Sequence, residues 1–227
     1  NTVIEIIASY DDIDRVAIST AGQVDSENGI VVYSSDNIPY YTGMLVKKIV
    51  ETKTGIPTIV ENDVNAAALG EAIFGAAKGY SDFVCLTFGT GIGGAIYVNN
   101  SLYKGCNSSA GEFGHIITHA GGRPCPCGGE GCYEQYASAK ALTQAVEKVT
   151  GEEMNGFQIF SKNSLLDPEI RHVVDTWIDE IIIGLKSIIY TFNPQLLVLG
   201  GGIMSEEYII ELIDRKIYKE LMETFRS

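Results

Sequence analysis

Phe83-Val84-Cys85-Leu86-Thr87-Phe88-Gly89-Thr90-Gly91-Ile92-Gly93-Gly94-Ala95-Ile96-Tyr97-Val98 is the stretch on which the reading of the fold turns. Its glycines at 89, 91 and 94 satisfy G-x-G-x-x-G behind an apolar run, the pattern of a dinucleotide-binding turn. That turn must open directly into a helix. Here Ala95-Ile96-Tyr97-Val98 continues as a strand, so the dinucleotide fold is rejected and a β-hairpin is expected, with strands over 81–88 and 95–98. A Gly-rich turn with Thr90 can lay backbone N–H groups and a hydroxyl against phosphate oxygens. A tight turn without a ligand is the other reading of the same residues.

Outward from the hairpin, strands and helices alternate. Residues 1–9 read as the end of a helix, with Val3, Ile6 and Ile7 on one face. Strands are expected over 15–20, near 29–33 and over 58–61, with a turn at Ala21-Gly22-Gln23. Helical spacing over 42–54 stops at Gly55 and Pro57. Asn62-Asp63-Val64-Asn65 is a polar cap before an Ala-rich helix over 66–74. After the hairpin come helices over 137–150 and 167–192, a strand over 195–199, the turn Gly200-Gly201-Gly202 and a last helix near 206–224. Strands mixed with helices and joined by Gly-rich turns make an α/β protein.

The chain has 227 residues, 45% of them apolar and 20% charged, which suits a globular protein with a real core. Its net charge of −13 argues against a nucleic-acid-binding surface, which needs clustered Lys and Arg. No apolar run reaches the ~18–20 residues that span a bilayer, and no secretory signal is visible, so a cytoplasmic location is expected.

The five cysteines do not read as a disulfide scaffold. Cys85 sits in the apolar strand as a small buried residue, and Cys106 reads as a loop thiol. Cys125, Cys127 and Cys132 form C-x-C-x4-C, with His115 ten residues before the first of them. Three thiolates and one imidazole are a common ligand set for structural zinc. Glycines 128, 129 and 131 let the chain curl so that the third sulfur reaches the metal. Spacing leaves His119 open as the fourth ligand; the turn framed by Gly111 and Gly114 favours His115. His172, inside an expected helix, reads as structural. Asp63 taken alone reads more readily as a simple N-cap carboxylate at a strand-to-helix junction than as a functional group.

Taken together, Glu61-Asn62-Asp63-Val64-Asn65-Ala66-Ala67, the 89–94 turn, Gly111-Glu112-Phe113-Gly114-His115, the cysteine cluster with Glu134, and Gly200-Gly201-Gly202 resemble the ROK family of sugar kinases and sugar-responsive repressors. The resemblance covers most of the chain. It implies a two-lobed actin-like ATPase (ribonuclease H-like) fold, with residues 1–67 part of a small lobe and 68–227 the large lobe. It also implies an ATP-dependent hexose kinase, glucokinase first, with Asp63 as general base. Asn62, Glu112, His115 and Glu134 would bind the sugar. Thr90 and Gly91 would face the ATP phosphates, and Gly201 and Gly202 the adenosine. The family's histidine position is held by His115, so the zinc ligands implied are His115, Cys125, Cys127 and Cys132, with Mg²⁺ accompanying ATP. Homodimers or homotetramers are expected, with no nucleic-acid or membrane partner.

The chain departs from the family pattern in three places. The Asp-x-Gly-Gly-Thr phosphate loop that opens family members is not found, and the C-terminus is shorter than the pattern. The sequence is therefore expected to be a piece of a kinase of roughly 300 residues. Ala21 stands where many relatives have Pro, a change that Gly22 tolerates. The rival readings are a kinase for N-acetylmannosamine, N-acetylglucosamine, fructose or allose, and the sugar-sensing half of a repressor. Thr90-Gly91 and the intact Asn62-Asp63 favour the kinase. A zinc-knuckle interaction module does not fit cysteines embedded in a large α/β chain.

Overall fold

The computed structural model describes residues 2–34 and 38–225; Asn1, the first residue of the expected N-terminal helix, lies outside them. The centre of the larger layer is β5 (Phe83–Phe88), hydrogen-bonded on both edges. It runs antiparallel to β6 (Ile92–Val98) and parallel to β8 (Leu196–Gly200). β7 (Ser101–Tyr103) extends the sheet beyond β6, giving the order β7-β6-β5-β8. A strand flanked on both sides and covered on both faces is a near-continuous apolar run, and FVCLTF is apolar but for Thr87.

Alternation along β5 divides the core. Val84, Leu86 and Phe88 face a cluster built on α7 (Pro168–Phe192) and α8 (Glu207–Glu220), whereas Phe83 and Cys85 face α3 (Asp63–Phe74). The β-hairpin expected from the glycine pattern is present. Its second strand starts at Ile92, so Gly93 and Gly94 pair with Thr87 and Leu86 inside the ladder. Both glycines are needed there for close packing. A β-carbon on Gly94 would lie 2.6 Å from the carbonyl oxygen of Gly111, and one on Gly93 the same distance from Val64.

The smaller layer holds a parallel pair, β1 (Val16–Thr20) with β4 (Thr58–Asn62), and a hairpin of β2 (Gln23–Asp25) with β3 (Ile30–Tyr33). Val24, Val31, Val46 and Val60 form its own apolar cluster, under α2 (Val46–Thr54). β2 falls where only a turn was expected. α1 (Thr2–Ala8) packs on α2.

Helix boundaries follow their caps. α2 starts at Val46 instead of 42, because the Met44 carbonyl accepts from the Val31 N–H and that segment runs beside β3. The helix expected over 137–150 is broken: α4 (Glu134–Ala137) ends at Ser138, whose side chain caps α5 (Ala139–Thr150). The buried Trp177 indole N–H, 3.0 Å from the Ala137 and Ser138 carbonyls, satisfies that break. α7 begins with Asp167 as cap and Pro168 at its first position, and it ends at Asn193 in the left-handed region. The short α6 (Gly156–Ile159) lies between α5 and α7. The last helix stops at Glu220, after which a 3-10 turn docks Phe225 against Tyr190.

Candidate functional site

A cleft of about 760 Å³ lies between the two layers. Nine residues expected at the sugar and the nucleotide line it together: Asn62, Asp63, Thr90, Gly91, Glu112, His115, Glu134, Gly201 and Gly202. They come from segments far apart in sequence. The β4–α3 junction supplies the first pair, the 89–94 turn the second, the loop after β7 Glu112 and His115, and the start of α4 Glu134. Gly201 and Gly202 follow β8, where Gly201 has φ +100 and its α-carbon crosses close over the end of β5.

The turn bearing Asp63 is held by Asn62. The Asn62 Oδ1 accepts from the Val64 and Asn65 N–H groups at 2.9 and 3.1 Å, the N-cap geometry, worth about 1 kcal/mol to a helix. Its Nδ2 donates to the Gly22 carbonyl at 2.9 Å and to the Asp63 Oδ1 at 3.0 Å. The cap is thus Asn62, and Asp63 is the first helical residue. One Asp63 oxygen is occupied by Asn62 and the Val64 N–H, while the exposed side chain faces the cleft.

Beneath this turn, Glu61 is saturated. Its Oε2 accepts from the Lys104 Nζ at 2.5 Å and the Ser26 hydroxyl at 2.9 Å. Its Oε1 accepts from the Asn62 N–H at 3.0 Å and the Asn65 amide at 3.2 Å. Burial pushes the Glu61 carboxyl up, but these donors outweigh it and hold the group below the usual carboxylate range. Across the mouth of the cleft, the Gln23 amide donates to the Glu112 Oε1 at 3.3 Å, joining the two layers a second time.

Glu134, the first residue of α4, links the cysteine loop to the glycine turn. Its Oε2 accepts from the Ile92 N–H at 3.4 Å, and a β-carbon on Gly91 would come within 2.5 Å of the same oxygen. Its Oε1 accepts from the Gln135 amide at 3.2 Å and the Cys125 thiol at 3.4 Å. The neighbouring Tyr133 anchors this corner, fully buried on Gly184 of α7 with its hydroxyl donating to the Ile181 carbonyl at 2.8 Å.

The His115, Cys125, Cys127 and Cys132 side chains converge, with one ligand atom from each, all within 4.8 Å of one another. The Cys127–Cys132 sulfur separation is 3.6 Å and the His115 Nδ1–Cys125 sulfur separation 3.7 Å. A tetrahedron with Zn–S bonds of about 2.3 Å has edges of about 3.8 Å, so the donor set fits zinc. Burial and the two neighbouring thiols push Cys132 up to about 12, and burial pushes Cys125 up, whereas the Gly129 N–H holds Cys127 down. Zinc binding would need all three thiols deprotonated, so it would release protons and weaken as pH falls.

His119 stands apart from this group. It stacks on Tyr136 with ring centroids 4.0 Å apart, and its Nε2 is 3.5 Å from the Glu180 Oε1. Gly131, at φ +78, passes so close to the His119 carbonyl that a β-carbon there would overlap it. His119 therefore tethers the loop to α7 and Tyr136. Cys85 is buried and Cys106 exposed, as expected.

Sequence reading missed Gln23, Ser26 and Lys104 as parts of the site. Gln23 stood in a turn already noted beside Gly22, which was a usable signal. Lys104 carries none, since its partner is 43 residues away.

The sequence model of the ROK family matches residues 1–227. A glucokinase of Streptomyces coelicolor is 35% identical over 225 residues, covering 92% of this chain and 70% of that protein. The xylose repressor of Bacillus subtilis is 31% identical over 216 residues, covering 92% of this chain and 55% of the repressor. The crystal structure of a ROK family glucokinase from Streptomyces griseus, in complex with glucose and AMPPNP, superposes with a TM-score of 0.84. It is 32% identical, over 97% of this chain and 78% of that one. The α/β architecture is thus the actin-like ATPase fold expected from the motifs. With a family match over its whole length and a cleft that gathers the family's motifs, this chain belongs to the ROK family.

Proposed function

We propose that this chain is the body of an ATP-dependent hexose kinase, with glucose the first candidate substrate and glucose 6-phosphate the product. The observation that carries the reading is the single cleft in which Asp63, the 89–94 turn and the Glu112-His115-Glu134 group face one another. Asp63 takes the proton of the attacking sugar hydroxyl as its oxygen bonds to the γ-phosphorus; the bond to the bridging oxygen breaks and ADP leaves. Asn62 orients that carboxylate. Glu112 and Glu134 accept from ring hydroxyls, and the His115 nitrogen turned away from the cysteines faces the sugar. Backbone donors at Thr90 and Gly91 receive the phosphates, and Gly201 and Gly202 leave room for the adenosine. Positioning and electrostatics supply most of the rate in phosphoryl transfer. Mg²⁺ bound with the nucleotide would supply positive charge against its phosphates.

Zinc would be held by His115, Cys125, Cys127 and Cys132, and it would brace the sugar side of the cleft without entering the chemistry. The small-lobe and large-lobe division at residues 67 and 68 belongs to the same reading, supported by the separate cluster around Val24 and Val60. So do a cytoplasmic setting and assembly into dimers or tetramers; among the described residues no helix is long and apolar enough to cross a membrane.

A coupled ADP-release assay of the full-length protein across a panel of hexoses and N-acetylhexosamines tests the reading. Turnover on glucose above the others is the expected result. Sugar binding without turnover on any of them would favour the second reading, a sugar-sensing repressor domain, which the likeness to the xylose repressor supports.

A further inference from the structure

Glu61 and Lys104 belong to different layers, yet they form the shortest ionic contact between them, at 2.5 Å. Glu61 is on β4, one residue before the N-cap of α3; Lys104 follows β7 at the edge of the larger sheet. The Lys104 ammonium also donates to the Ser26 hydroxyl at 2.8 Å, just past β2. Its carbonyl accepts from the Ala110 N–H at 3.1 Å, closing the loop that delivers Glu112. One side chain thus joins the strand that ends at Asn62, just before Asp63, to the β2–β3 hairpin and the edge strand leading to the sugar-side acids.

The pair is half-hidden, with side-chain exposures of 29% for Lys104 and 15% for Glu61. Desolvation offsets much of the attraction in such a pair, so its main contribution is a fixed geometry. Lys104 does not line the cleft, and its ammonium is engaged by Glu61 and Ser26. It is therefore not a phosphate ligand; whatever it does for the reaction passes through Glu61.

We propose that Lys104 is a positioning residue for phosphoryl transfer, acting through Glu61 to hold the Asn62-Asp63 turn at a fixed place against the larger sheet. The inference rests on the kinase reading. Without Lys104, the Glu61 carboxylate is left buried with no counter-charge, and it either swings out or takes up a proton. Either way the acceptor of the Asn62 N–H and the Asn65 amide changes, and the base moves relative to the glycine turn. Misplacement by about 1 Å can lower a rate roughly 100-fold.

The test uses the full-length protein, with steady-state kinetics, calorimetric hexose binding and a pH profile of kcat. Lys104→Met should lower kcat by at least about 10-fold while leaving the hexose Kd and the KM for ATP within about 3-fold. Lys104→Arg should recover most of the rate. The acid limb of the profile should move to higher pH in Lys104→Met alone. Among the described residues the charged partner of Glu61 is Lys104; the other groups that donate to it are the neutral Ser26, Asn62 and Asn65. With Lys104 in place, Glu61 stays ionised as pH falls, down to its lowered value; without it, burial makes Glu61 protonate earlier. If Lys104→Met folds poorly, Glu61→Gln/Lys104→Met leaves no buried charge and should be folded yet still slow. An active wild-type protein whose Lys104→Met or double variant keeps the wild-type rate and acid limb would overturn this inference alone. A wild-type protein that binds hexose but turns over none would overturn the kinase reading and this inference with it.

Discussion

The 89–94 turn and the 111–134 loop are both rich in glycine and both wall the same cleft, but they are shaped by different forces. The turn closes a six-rung antiparallel ladder, from Phe83↔Tyr97 to Phe88↔Ile92, so its backbone donors are set by main-chain pairing. The loop has one 3-10 turn (Phe113–His115) and two isolated bridges, Ile117↔Cys132 and Pro124↔Glu130. Its course depends on side chains: the cysteine-histidine group, the buried Tyr133, and His119 stacked on Tyr136. The regions meet where Gly94 lies against Gly111 and where Glu134 receives the Ile92 N–H. On the proposed reading, backbone pairing would suit phosphates, which every nucleotide presents alike, whereas a side-chain-braced loop would hold acids to read sugar hydroxyls.

The sharpest test of this division lies outside both regions. If turn and loop position ligands while Asp63 alone moves the proton, Asp63→Asn should lower kcat by about 10²–10⁴-fold. Hexose binding, followed by calorimetry, should barely change. Equal losses in kcat and affinity would mean that Asp63 binds sugar instead of acting as base.

Metal removal should separate the two regions. Chelation, or Cys132→Ser, should free the 111–134 loop to exchange its amide hydrogens while β5 and β6 stay protected. A metal present at about 1,000 times its Kd contributes about 4 kcal/mol, which is about 10 °C in Tm for a chain of this size. Exchange rising equally in both would erase the contrast. Gly94→Ala strikes their contact directly, since the added methyl meets the Gly111 carbonyl and the Phe113 ring. Overpacking of that kind costs about 1–3 kcal/mol, to be read from denaturant unfolding. The smallest effect is expected for His119→Ala. A partly exposed ion pair is worth about 0–1 kcal/mol, and zinc content measured by metal analysis should not change. Loss of zinc would make His119 the ligand in place of His115.

Much of this was readable in the chain. A strand in place of a helix after Gly94 excluded the dinucleotide fold, because the period of the apolar pattern changes with the element. Gly55 ended α2 and Asp167 began α7 where expected, whereas the Ser138 cap that splits the helix expected over 137–150 was not foreseen. Met44 was misread because its carbonyl serves β3, a partner that helical spacing does not register. Spacing alone left the fourth ligand open between two histidines, since both lie within loop reach of the cysteines, and the family resemblance chose His115. Geometry groups His115 with them and gives His119 to Glu180.

By itself, then, the sequence determined the hairpin, the helix stop at Gly55, the cysteine spacing and the family, all local patterns whose physics acts over a few residues. Only the tertiary structure decided what joins the two sides of the cleft. Lys104 reaches Glu61 across 43 residues and Gln23 reaches Glu112 across 89, while within the smaller layer Asn62 reaches Gly22 across 40. Long polar side chains choose such partners by the packing of whole layers, which brings them within hydrogen-bond reach and excludes water. No periodicity along the chain records that choice.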